Sequence, residues 1–171
     1  LPYFPNGPFY QCVAVSATSD PTGAWHRYQF EMPSNKMNDY PKFGVWTDAY
    51  YGTVNQYASG SQSWAGAGVF ALERGAMLNG QAARMVFFDL ANVNINLGGI
   101  LPADFDGLTP PPAGSPGYFA EWDDSTWIGP QDAVRLWEFH VDWIHPEQAS
   151  FGQNGLPNWV IPTQDVDPNL C

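Results

Sequence analysis

Apolar residues in this chain recur at every second position or in runs of a few residues, each bounded by Gly, Pro, Asn or Asp, and a helical repeat is almost absent. Alternation sends successive side chains to opposite faces of a strand, so the pattern predicts β-structure. Strands are predicted over 9–16, 25–31, 43–46, 49–57, 68–72, 84–90, 118–122 and 134–143. Only Glu73-Arg74-Gly75-Ala76-Met77-Leu78 reads as helix, and Gly75 and Gly80 hold it to a turn or two. The fold class is therefore all-β. In the last strand Trp137, Phe139, Val141 and Trp143 share one face and are assigned to the core. Leu136, Glu138, His140 and Asp142 share the other.

Spacing adds an architecture. The strands at 43–46, 49–57, 68–72 and 84–90 follow one another through short turns, which makes an antiparallel four-stranded meander of about 50 residues, the size of a β-propeller blade. Residues 36–91 are read as one full blade and 1–35 as the outer half of a preceding one, with its turn at Asp20-Pro21-Thr22-Gly23. Residues 92–116 are an irregular connection, 117–150 a partial blade and 151–171 an extended tail. Two to three blades do not close a ring, so the chain is expected to be a segment of a larger propeller.

Charge narrows the partners. Six Lys and Arg against 17 Asp and Glu give a formal net charge of −11, and the basic residues are dispersed. No basic patch exists to neutralise phosphates, which excludes nucleic acid and an anionic membrane surface. No window approaches the roughly 20 apolar residues of a membrane-spanning helix. The chain starts Leu1-Pro2-Tyr3 without an initiator Met, which is read as a processed or excised segment. Cys12 and Cys171 are expected either to bridge the two ends, or each to be a buried thiol or to pair with another stretch of chain.

Four sets of strings carry a resemblance: Tyr10-Gln11-Cys12-Val13-Ala14-Val15-Ser16 with Asp20-Pro21-Thr22-Gly23-Ala24-Trp25; Asp39-Tyr40-Pro41-Lys42-Phe43-Gly44-Val45-Trp46-Thr47-Asp48-Ala49-Tyr50-Tyr51; Leu101-Pro102-Ala103-Asp104-Phe105-Asp106-Gly107 with Pro111-Pro112-Ala113-Gly114-Ser115-Pro116; and Leu136-Trp137-Glu138-Phe139-His140-Val141-Asp142-Trp143. In content and order they resemble a group of large secreted bacterial β-propeller proteins of unassigned function. The Asp20–Trp25 turn also resembles, more distantly, hairpins of five-bladed glycosidases and the Asp-box of sialidases, with Asp20 three residues before Gly23 instead of two. The resemblance implies a secreted, bacterial propeller segment and assigns no catalyst.

Several residues could carry chemistry. Glycoside hydrolysis needs two carboxylates about 5 Å apart for retention or about 6.5 to 9.5 Å for inversion. Asp39, Glu121 and Asp142 are the candidates, and each also fits the plainer role of an acid accepting turn hydrogen bonds. Asp48 is read as a turn residue. Asp104 and Asp106, in Asp104-Phe105-Asp106-Gly107, have the look of a structural calcium loop without the downstream bidentate Glu of an EF-hand. No cofactor is otherwise required. Tyr40, Trp64, Trp122 and Trp127 lie beside turn residues with Asn, Asp and Gln as neighbours, which suits stacking on sugars or contact with a protein. The leading expectation is a secreted or cell-surface binding and assembly module for glycans or extracellular proteins. The alternatives are a propeller glycoside hydrolase and a structural subunit that completes its sheet with another chain or with the rest of its own propeller.

Overall fold

The computed structural model describes residues 6–167. It is all-β: eleven strands among these residues form three antiparallel sheets that follow each other in chain order. β1 (Tyr10–Ser16) and β2 (Trp25–Glu31) make a hairpin. Its turn is held by Asp20, whose carboxylate accepts the Thr22 N–H at 2.9 Å. β3 (Lys36–Val45), β4 (Tyr50–Ala58), β5 (Trp64–Leu72) and β6 (Met85–Asp89) form the middle sheet in that order, with α1 (Arg74–Leu78) between the last two. β7 (Leu101–Pro102), β8 (Gly117–Asp123) and β9 (Ala133–His140) form the third sheet, and β10 (Ser150–Phe151) and β11 (Trp159–Pro162) both pair with β9.

Three differences from the sequence reading have local causes. β3 starts at Lys36 instead of 43 because the strand runs through Pro41: a register shift between Asp39 and Lys42 takes up Tyr40 and Pro41, whose missing N–H costs no ladder bond at a bulge. β5 starts at Trp64 because Ala65, Gly66, Ala67 and Gly68 have weak strand propensity by themselves but are all buried, small enough for flanking layers to close on them. The segment from 151 onward, expected as an extended tail, supplies Phe151 of β10 and all of β11, and Phe151 is 1% exposed in the core.

The middle sheet is covered on both faces. Toward the hairpin, Phe30 and Met32 pack on Val54, Phe70, Leu72 and Met77. Toward the third sheet lies an aromatic cluster in which Tyr51, Phe119, Phe139 and Phe151 meet at ring centroid distances of 5.2–6.0 Å. Such ring pairs contribute about 0.5–1.5 kcal/mol each beyond area burial. Close approach depends on Gly117, since a Cβ there would collide with the Tyr51 ring. The third sheet has the opposite character on its outer side: Leu101, Tyr118, Trp122, Trp159 and Ile161 are 42–51% exposed. No helix of the described residues is long and apolar enough to cross a membrane.

Candidate functional site

At one end of the packed sheets a cleft of about 580 Å³ opens between the middle and third sheets. It is lined by Asn55 of β4, Trp64 of β5, Asn96, Gly98 and Gly99 of the loop before β7, and Thr126 and Trp127 of the loop before β9. Alternation along β4 turns Tyr51, Thr53 and Asn55 toward the third sheet, which sets Asn55 at the cleft floor. The 93–100 loop is tied down by its backbone: Thr53 Oγ1 donates to the Ile100 carbonyl at 2.7 Å, and Asn94 Oδ1 accepts the Asn96 N–H at 3.0 Å. Trp64 Nε1 donates to the Ile95 carbonyl at 2.6 Å, fixing one indole wall. Gly98 lies against that indole, where a Cβ would stand 2.9 Å from the ring. A side chain at this position would have to displace the indole edge.

Buried acids hold the second wall. Asp124 Oδ1 accepts the Thr126 N–H at 2.7 Å, and Asp132 accepts the Ser125 and Val166 N–H groups at 2.8 and 2.7 Å, which keep its carboxyl below the usual aspartate range. Asp123 is bound by Arg135 at 2.6 Å, and the same guanidinium reaches the Ile128 carbonyl. Trp127 is carried out on this braced loop, 71% exposed, with Asn96 Nδ2 donating to its carbonyl at 3.3 Å.

Glu121 sits behind the Gly98 wall, 5% exposed. Its Oε1 accepts the Gly98 N–H at 3.0 Å, while Oε2 is buried with no hydrogen-bond partner. Burial, helped by the charge of Asp123 and opposed by the Gly98 hydrogen bond and Arg135, pushes its carboxyl from the ordinary value of 4.5 to about 7. The folded state therefore holds this proton more tightly than the unfolded chain does. Its contribution to stability is complete below about pH 4.5 and is lost as the pH rises through about 7. Asp48, also raised by burial, adds a fall of the same sign. Glu121→Gln is expected to remove a slope of about 2–3 kcal/mol between pH 5 and pH 7.5. Urea midpoints at the two pH values check this, and an unchanged slope would refute the assignment.

The structure separates the other candidates. Asp39 pairs across the ladder with Asn55, one strand from the cleft, and lines a hollow of about 150 Å³ with Met37, Tyr57 and Gln62. Asp142 lies beyond the far end of β9, where its carboxylate accepts the Ile144 N–H at 2.8 Å and meets His145 at 3.2 Å, contacts that lower its pKa. Glu121 pairs with Arg135, and the five residues from there to His140 alone span roughly 17 Å of strand. Glu121 and Asp142 thus stand too far apart to act on one glycosidic bond. Asp104 is used locally, accepting the Val45 N–H at 2.6 Å, and Asp106 is exposed. No group of three or more His, Cys, Asp or Glu is placed to hold a metal ion among the described residues. Tyr40, 65% exposed, has the Lys42 ammonium 3.3 Å over its ring, and Trp122 lies on the outer side of the third sheet. Cys12 is exposed on β1, and Cys171 lies outside the described residues, as does their expected bridge.

Of the sequence candidates, the fold brings together Trp64 and Trp127, with Glu121 behind them. Asn55, Asn96 and Thr126 were not singled out from the sequence, where isolated amides and a hydroxyl carry no signal until a fold converges them. A scan against protein-family models found no match, and searches of curated proteins and of solved structures found none either.

Proposed function

We propose that this chain is a segment of a secreted β-propeller that binds oligosaccharides in the cleft between Trp64 and Trp127. The observation that carries the reading is the cleft lining: two indoles, 37% and 71% exposed, together with Asn55, Asn96 and Thr126. A pyranose offers an apolar face and a rim of hydroxyls, which such a lining matches. Three antiparallel sheets stacked face to face in chain order support the propeller reading, and the exposed apolar outer side of the third sheet suits a further blade or partner chain. A glycan array followed by calorimetry tests the function. Trp127→Ala is expected to weaken the best hit about tenfold, roughly 1.4 kcal/mol. Trp159→Ala, on the edge strand β11, leaves it unchanged. An array without hits, or equal affinity in the Trp127 variant, would sink the proposal.

A further inference from the structure

The outer face of the third sheet is apolar over three rows of paired side chains. Its central row is Leu101, Ala120, Leu136 and Trp159, one residue from each of β7, β8, β9 and β11. On one side of it lie Trp122, Val134 and Ile161, and on the other Tyr118 and Glu138. Burial along β8 fits this division: Phe119, Glu121 and Asp123 are buried, whereas Tyr118 and Trp122 are 42% and 46% exposed. Glu138 is the one formal charge in the three rows, at their margin, where it meets the His140 ring at 3.2 Å. The five most exposed of these apolar side chains together leave about 500 Å² of surface in water, near the upper end for the largest patch of an ordinary monomer. Homodimer interfaces are roughly 65% apolar, so such a patch is the centre of an interface of about 800 Å² per partner, the size of a stable complex.

Within this protein the best match for that face is the face itself. The middle sheet is covered on both sides by the hairpin and the third sheet. The hairpin turns Tyr28 toward the core and buries Phe30, which leaves Arg27, Gln29 and Glu31 on its exposed side. We infer that two copies of this chain pack the outer faces of their third sheets together about a two-fold axis along the central row. The axis sets the central row on its own counterpart and lays Tyr118 and Glu138 over the second copy's row of Trp122, Val134 and Ile161. The two Glu138 carboxylates are thereby kept apart, and the strands run in opposite senses across the interface, an aligned packing of twisted sheets. A contact of this kind closes at two copies. Each copy carries a net charge of −11, so the two repel at long range, and the dissociation constant is expected at the weak end for this area, on the order of 10 µM. The inference names an occupant for the face that the propeller reading gives to a further blade or partner chain, and it does not depend on what the cleft binds.

Sedimentation velocity of the full chain between roughly 1 and 200 µM, a span set around that constant, tests this. A monomer–dimer equilibrium is expected, with no larger species. It should tighten at least about threefold between roughly 0.05 and 0.5 M salt, because screening removes the repulsion between two acidic copies. Trp122→Asp should weaken the dimer at least about tenfold with the circular dichroism unchanged, and Tyr118→Ala should weaken it in the same direction with a smaller change to the surface. Trp127→Ala, on the cleft loop, should leave it as it is. A monomer at every concentration overturns the inference and assigns the face to a further blade or another protein. Species that grow beyond the dimer, a dimer indifferent to both face variants, or one that salt weakens overturn it as well. The glycan array is read separately, so either result can fail while the other stands.

Discussion

Trp137→Ala is expected to destabilise the protein by about 3–5 kcal/mol, the largest effect of any single truncation in the core. The side chain is fully buried on β9, stacks on Phe151 at 5.9 Å and 12°, and its Nε1 donates to the Gly155 carbonyl at 3.0 Å. Truncation would leave a cavity the size of an indole, orphan a buried carbonyl, and remove the surface on which the turn at Gly152 rests, since a Cβ at Gly152 would already crowd the Trp137 ring. Because β10 enters the core through Phe151, the loss should extend to the β9–β10 pairing. Urea unfolding followed by far-ultraviolet circular dichroism measures it. Trp159→Ala is the internal control, with an expected cost below about 1 kcal/mol for an exposed site. Similar midpoints for the two variants would show that the aromatic cluster does not hold the third sheet.

Arg135→Ala is expected to cost a similar amount, about 3–5 kcal/mol, for an electrostatic reason. Its guanidinium is the counter-charge of Asp123, at 2.6 Å, and the two side chains are 11% and 1% exposed. Removing it strands a buried carboxylate beside Glu121, whose own charge becomes harder to form. The Ile128 carbonyl also loses its donor, so the loop presenting Trp127 should loosen, and the oligosaccharide binding proposed for the cleft should weaken with it. The double variant Asp123→Leu, Arg135→Met separates charge from packing: with both ions gone, most of the stability should return, because desolvating a pair gives up much of what its attraction provides. If the double variant is as unstable as the single one, the loss comes from packing and the electrostatic account is wrong.

Much of the strand pattern was legible because alternation depends on nearest neighbours. Trp137 and Phe139 are buried and His140 is exposed, as their positions in the repeat required. The same local rule placed the hairpin of β1 and β2, and a helical stretch limited by Gly75 and Gly80 placed α1. It failed where a strand is short or made of small residues: β7 and β10 have two residues each, too few to show a period, and β11 has no buried residue at all. Trp64 and Trp127 could be picked as aromatics beside turns, but so could Tyr40 and Trp122, and nothing local distinguishes the pair that shares a cleft from the pair that does not. Glu121 is a candidate acid from the sequence, yet its raised pKa comes from burial, helped by Asp123 and opposed by Gly98 and Arg135, an environment that only folding creates.

By itself the sequence determined the all-β class, the chain order of the antiparallel units, the acidic net charge, and the pool of aromatic and acidic residues. These follow from composition and from periods of two, which neighbouring residues carry between them. Tertiary structure alone decided which faces close on each other, that the chain after residue 150 joins β9, that Asp142 and Glu121 lie at opposite ends, and that two tryptophans, two asparagines and a threonine line one cleft above a buried carboxyl. Those depend on contacts between residues dozens of positions apart, and their energies, from packing, desolvation and charge in a low-dielectric interior, exist only once the sheets have met.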